Sequence, residues 1–149
     1  MQHYDLVILI TRMEGVGERN VYVARKNGRG GYDRPKPLPW PINSKDRDDG
    51  SWVSADGRTM LVTYPGRGGE GGSVLFISSL RSGKWTHPAN LGVSINSSYN
   101  EGRGVITPDG SSLVFTSDRP VNGGASGISQ IWVAPLPTFV RLAQVNDRP

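Results

Sequence analysis

The stretch INSSYNEGRGVITPDG at residues 95–110 repeats, at an offset of 53 residues, the stretch INSKDRDDGSWVSADG at residues 42–57. Both copies begin with Ile-Asn-Ser, carry an acidic residue near the middle and end with Asp-Gly. The same offset relates Val-Tyr-Val at residues 21–23 to Val-Leu-Phe at residues 74–76. A period of this length is typical of proteins built from copies of one supersecondary unit, each of which buries its apolar face against a neighbour.

Each copy contains short runs of apolar and β-branched residues between turn residues, which is the pattern of antiparallel strands. Between residues 48 and 100 the predicted strands are 51–53, 59–64, 74–77 and a looser one at Trp85. Between residues 101 and 137 they are 104–107, 112–117 and 128–134. Ser73 matches Gln130 at an offset of 57 instead of 53. We therefore expect the loop before the strand at 128–134 to be four residues longer than the loop before the strand at 74–77. No segment shows the apolar period of a helix, so the sequence predicts an all-β fold.

The repeat divides the chain into units of about 1–47, 48–100 and 101–137, which form a single domain over residues 1–137. The first unit lacks its opening strand, and residues 138–149 are a tail in which 139–142 have the composition of one further strand. Four-stranded antiparallel units with a period near 50 residues indicate β-propeller blades. We therefore expect an incomplete propeller ring or fragment of about two and a half blades.

Composition excludes several classes of function. The 149 residues contain no Cys, so neither a disulfide framework nor a thiolate metal site is available. The net charge is +4, but the 17 Lys and Arg are scattered among 13 Asp and Glu, which predicts a mixed surface and no nucleic-acid partner. No apolar stretch has the length of a membrane span, and the first residues lack the features of a signal peptide. We expect no membrane insertion.

Several short motifs follow one another in a fixed order along the second and third units. They are KWTHPANLG at 84–92, INS at 95–97, NE at 100–101, TPDG at 107–110, LVFTSDR at 113–119 and QIWV at 130–133. In this order they resemble the WD-like β-propeller repeat of the TolB and OmpA-associated type, over about residues 5 to 134. The resemblance implies an exported scaffold, periplasmic or extracellular, that binds other proteins or the cell envelope. The chain departs from the pattern in having fewer blades than a closed ring.

Charged residues at repeated positions are the first candidates for a binding site. Asp48 and Glu101 open the first strand of their units, where propeller blades approach the central channel. A ring of such acids suits a cation or a basic peptide, and the alternative is that each acid accepts hydrogen bonds from the backbone of the adjacent blade. The pair Asp118 and Arg119, which the family pattern also contains, is a further candidate.

Aromatic residues that break the repeat are the second candidates. Trp40 and Trp52 have no aromatic counterpart one repeat later, because Val93 and Val105 stand there. An exposed indole can stack on a sugar or anchor a protein partner. Tyr32 and Trp85, by contrast, occupy equivalent positions and are expected to pack between units, so Trp40 and Trp52 are the candidate binding residues.

No constellation of residues indicates catalysis. Asp56-Gly57 and Asp109-Gly110 have the pattern of tight turns, and the two histidines without cysteine do not make a zinc site. We therefore predict no catalytic residue, no metal and no cofactor.

The predicted function is a noncatalytic scaffold or binding module for a protein or glycan partner. The alternative is a sialidase-like or related glycan hydrolase, because propellers also host such enzymes. Three arrangements remain open. The first choice is a longer propeller to which this chain belongs, the second is a homo-oligomer of the chain, and the third is a curved open stack.

Overall fold

Antiparallel β-sheets make up most of the structure, which confirms the predicted all-β class. The computed structural model describes residues 6–11, 19–44, 48–66, 72–121, 124 and 127–140. In this part of the chain the strands form separate open sheets, each a meander in which neighbours in sequence are mostly neighbours in space.

The strands of the described residues belong to three sheets. Sheet 1 contains β1 (Leu6–Thr11), β2 (Asn20–Arg25) and β3 (Lys36–Pro37) in that order. Sheet 2 contains β4 (Asp49–Val53), β5 (Thr59–Pro65), β6 (Ser73–Arg81) and β7 (Lys84–Trp85), and β8 (Ala89–Asn90) also pairs with β6. Sheet 3 contains β9 (Glu101–Ile106), β10 (Ser112–Ser117) and β11 (Gln130–Pro135). The strands overlap the predicted positions, and the looser fourth position of sheet 2 is divided between β7 and β8. Their ends differ, since β9 begins at residue 101 where 104 was predicted, and β6 extends to residue 81 where 77 was predicted.

Sheets 2 and 3 have the same register. Trp52 pairs with Leu61 in sheet 2, and their counterparts 53 residues later, Val105 and Val114, pair in sheet 3. An irregularity of the ladder follows at the same place in both sheets. The next pair shows where the copies differ, because Val62 faces Phe76 whereas its counterpart Phe115 faces Trp132. That offset of 56 makes the last loop three residues longer, so the expected difference of four was wrong by one residue.

Sheet 2 buries both of its faces. Met60, Val62 and Tyr64 join Val21 of sheet 1 in one buried cluster, hereafter the smaller core. The intervening side chain of Leu61 points the other way, since alternate residues of a strand face opposite sides. It belongs to the larger core, which also contains Leu75 and Ile77 of sheet 2, Leu91 directly after β8, and Ile106, Leu113 and Phe115 of sheet 3. Sheet 2 is therefore the middle layer between two neighbours.

Two asparagines attach the connectors between sheets to the strands beside them. The side chain of Asn96 accepts a hydrogen bond from the backbone N–H of Leu75 at 2.9 Å and donates one to the carbonyl of Leu75 at 2.8 Å. Asn43 makes the same pair of bonds with the backbone of Val21, both at 2.8 Å. The Ile-Asn-Ser triplet is therefore repeated because its amide completes the backbone hydrogen bonds of a neighbouring strand.

The Asp-Gly pairs form tight turns, as predicted. Gly57 and Gly110 have φ angles of 70° and 69°, a region that glycine adopts without the strain of a side chain. Beside them, hydrogen bonds from the Thr107 hydroxyl, and then from Ser111, lower the pKa of Asp109 from its ordinary 3.8 to about 2. Because the pKa is lowered in the folded state, this interaction stabilises the turn above pH 3.8 and is lost as the pH falls to about 2.

The tail differs from the prediction. Residues 138–140 are helical, so the described part of the expected strand at 139–142 is not a strand, and the remainder lies outside the described residues. Leu136 and Val140 are buried in the larger core, and the N–H of Val140 bonds the carbonyl of Pro137. Pro137 has no N–H to give to a ladder, and a turn after it brings Val140 back to the core.

Sheets 2 and 3 approach each other closely at Gly104. A Cβ atom at this position would lie 3.1 Å from Leu61 Cδ1 and 3.3 Å from Leu113 Cδ1. We expect Gly104→Val to lower the free energy of unfolding by about 1–3 kcal/mol, because the added methyl groups overpack the core. Gly102→Val in the same strand is the control, since its Cβ would meet only Thr116 Oγ1 at 3.8 Å. Urea denaturation measures both, and equal stability of the two variants would contradict this close approach.

Candidate functional site

Glu101 lies at the start of β9 with its carboxylate buried in a polar network. Its Oε2 accepts a hydrogen bond from the backbone N–H of Ser97 at 2.9 Å. Its Oε1 accepts from the hydroxyls of Ser97 at 2.6 Å and Ser117 at 2.8 Å. Arg119 Nη2 lies 3.1 Å from the same Oε1 and forms an ion pair with it. The network joins sheet 3 to the connector that precedes it.

The Arg119 side chain is enclosed and is only 18% exposed. Its guanidinium carbon lies 4.9 Å from the ring centre of Trp132 and 5.4 Å from that of Phe115. The guanidinium also donates to the Ser117 hydroxyl at 3.0 Å and to the backbone carbonyl of Ile95. Cation–π contacts and charge-assisted bonds of this kind hold an arginine in one conformation. Arg119 therefore acts inside the fold as a positioning residue.

Asp48 occupies the equivalent place before sheet 2 and is also fully buried. Its Oδ2 accepts a bond from the backbone N–H of Ser44 at 2.6 Å, and its Oδ1 accepts from the Ser44 hydroxyl at 3.0 Å. Ser97 and Glu101 repeat this arrangement at the same spacing. In both places the acid bonds the backbone N–H and the hydroxyl of the serine four residues before it.

Asp118, next to Arg119, bonds to the chain at the start of sheet 3. Its Oδ1 accepts from the backbone N–H of Asn100 at 2.7 Å and its Oδ2 from the Asn100 amide at 2.8 Å. The Asn100 side chain, and then its backbone N–H, lower the pKa of Asp118 below its ordinary value. Asp118 thus fixes the entry to β9.

The two candidate tryptophans have different surroundings. Trp52 is partly buried and packs against the larger core, so it stabilises the contact between sheets 2 and 3 and is not an open platform. Trp40 is 63% exposed and meets the ring of His87 edge-to-face, with ring centres 5.4 Å apart. Tyr32 is half-exposed, which corrects the expectation that it packs like Trp85. Of these residues, Trp40 presents the largest fraction of its surface.

Trp40 borders a groove of about 470 Å³ between sheets 1 and 2. Pro39, Pro41 and Trp85 lie beside it, and the cations Arg25 and Lys84 also line the groove. Sequence reasoning selected Trp40 as a binding residue and missed the other five. Arg25 belongs to β2 and Lys84 to β7, and only the packing of sheet 1 on sheet 2 brings them together.

Other kinds of site find little support in the described residues. They hold no group of three or more His, Asp or Glu placed to bind a metal ion. Among them there is also no helix long and apolar enough to cross a membrane.

No protein-family model matches the sequence, and no curated protein is similar to it.

The Glu101–Arg119 pair gives a direct test of the network. We expect Arg119→Met to lower the free energy of unfolding by about 3–5 kcal/mol, because it leaves a buried carboxylate without its cation. Adding Glu101→Gln to that variant should restore part of the loss, since the buried charge is then removed. Arg29→Met, at an exposed arginine of a loop, is the control. A loss below about 1 kcal/mol for Arg119→Met in chemical denaturation, the size expected of a surface pair, would contradict the network.

Proposed function

We propose that the chain is a noncatalytic scaffold made of β-propeller-type repeat units, which binds a protein partner through an open sheet face. Three features support the propeller type of repeat. The sheets are antiparallel meanders, sheets 2 and 3 have equivalent registers, and adjacent sheets cover each other face to face. The motif order that resembles TolB-type repeats agrees with this proposal and suggests an exported, periplasmic or extracellular protein.

The observation that carries the binding role is an apolar face on sheet 3. Val105, Val114 and Val133 are direct cross-strand neighbours, and Ile131 lies two residues before Val133 on the same side. Ile131 is 77% exposed and Val133 67% exposed. These four residues are hereafter the open face. Contiguous exposed apolar residues of this kind mark interaction surfaces.

The open face is the counterpart of a face that is buried in sheet 2. Trp52, Leu61 and Ile77 form the equivalent cross-strand row there, and Leu75 is the equivalent of Ile131. Leu61 and Leu75 are completely buried and Ile77 is 7% exposed, because sheet 3 covers them. By the same geometry the open face is shaped to receive another β-sheet. The partner that the isolated chain itself supplies is a second copy.

The carboxylates favour a scaffold over a glycan hydrolase. Glu101 and Asp48 accept hydrogen bonds from Ser97 and Ser44, and Asp118 holds the backbone of Asn100. Two further described acids bond within their own turns, where Asp56 and Asp109 accept from the N–H groups of Arg58 and Ser111. A third, Asp49, forms an ion pair with Arg19, with Oδ1 and Nη1 3.7 Å apart. A hydrolase of the usual type needs two carboxyl groups free to face one glycosidic bond.

Self-association tests this proposal. We expect the purified chain to have a weight-average mass above that of one copy, rising with concentration in sedimentation equilibrium. Ile131→Lys combined with Val133→Lys should return the mass to that of the monomer, because two charges would then be buried at the contact.

The control adds two charges elsewhere. Val93→Lys combined with Tyr32→Lys changes exposed residues that lie outside sheet 3, and it should leave the association intact. A monomeric mass for the unaltered chain at all concentrations, or association that survives the change at Ile131 and Val133, would contradict docking through the open face.

A further inference from the structure

The groove beside Trp40 has a lining of unusual composition. Besides Trp40, Trp85 and the two prolines, it is lined by Val23, Leu38 and Leu80 and by two glycines. None of the described lining residues is an Asp, Glu, Asn, Gln, Ser or Thr. Its volume of about 470 Å³ lies within the range of sites that hold small molecules or a few residues of a peptide. The surface therefore offers aromatic and aliphatic contact with little side-chain hydrogen bonding.

The charge of the groove has one sign. Arg25 and Lys84 are both exposed, and no described carboxylate lines the groove between them. A ligand with negative charge is attracted by both cations, and one with positive charge is repelled. Its apolar part would lie on the indoles and prolines.

The geometry points to an extended acidic peptide, with proline or bulky aliphatic residues at its centre, as the ligand of this groove. Aromatic grooves suit extended proline-containing segments, which lose little conformational entropy on binding. An acidic saccharide fits less well, because its hydroxyl groups would be desolvated with few side chains to bond them. This inference does not rest on the function proposed above, since the groove lies between sheets 1 and 2 and the open face belongs to sheet 3.

The orientation of Trp40 supports a preformed site. His87, which does not line the groove, contacts the Trp40 ring in a T-shaped arrangement with an interplanar angle of 76°. Trp85 packs against the smaller core. Because both indoles already have contacts within the fold, less conformational entropy is lost when a peptide binds to them.

Panning a phage-displayed octapeptide library on the immobilised full chain tests the inference. We expect the enriched peptides to be acidic and to contain proline or leucine, with no such enrichment on the Trp40→Ala chain. The most enriched peptide, labelled with fluorescein, is then titrated by fluorescence polarisation. Trp40→Ala should weaken its binding about tenfold or more, as for a central aromatic anchor. Removing Arg25 and Lys84 together should weaken binding and abolish most of its salt dependence.

Two matched variants separate the groove from the general surface. Tyr32→Ala removes a half-exposed aromatic residue and Lys36→Ala an exposed cation, both outside the groove, and neither should change the affinity. The chain with Ile131→Lys and Val133→Lys should bind the peptide normally, so failure at the open face and failure at the groove are distinguishable. Three results would overturn the inference. They are enrichment of neutral or basic peptides, binding that does not depend on Trp40, and displacement of the labelled peptide by oligogalacturonate at a lower concentration than unlabelled peptide needs for the same displacement.

Discussion

Face-to-face packing of antiparallel sheets is the interaction on which the structure depends. Residues 59–64 of β5 are all buried, so this strand has no side that suits water. An isolated small sheet cannot provide that burial, because β5 is apolar on both of its sides and needs a layer on each. Sheet 1 supplies one layer and sheet 3 the other. The same kind of sheet-on-sheet contact therefore occurs twice, which agrees with the repeat in the sequence.

Polar residues hydrogen-bond the connectors between sheets to the strands beside them. Asn43 and Asn96 complete backbone hydrogen bonds, and the acids at the start of β4 and β9 bond the serines that follow those asparagines. Asp48 and Glu101, which are candidate binding residues in the sequence, thus form hydrogen bonds that hold the connectors from one sheet to the next. Two surfaces of the described residues lie outside these contacts, namely the Trp40 groove and the exposed apolar face of sheet 3.

Strand positions and Asp-Gly turns were predictable because both follow from local patterns, as at residues 59–64 and Gly57. Burial at equivalent positions was not. Trp52 and Val105 occupy the same place in their sheets, yet one is packed in the larger core and the other is 45% exposed. The difference lies in whether another sheet covers the position, which no local pattern records. The groove could not be predicted for the same reason, because its cations come from two different sheets. The length of the loop before β11 also depends on strand pairing, since only the register with Phe115 shows it.

Methyl and aromatic NOEs in a selectively labelled sample test the central claim that sheet 2 is a middle layer. The account predicts that Leu61 shows NOEs to Leu113 of sheet 3, and that its neighbours Met60 and Val62 show NOEs to Val21 of sheet 1. Consecutive residues would then report on opposite neighbours. NOEs from Leu61 and Met60 to the same sheet, or none from either to another sheet, would contradict the account.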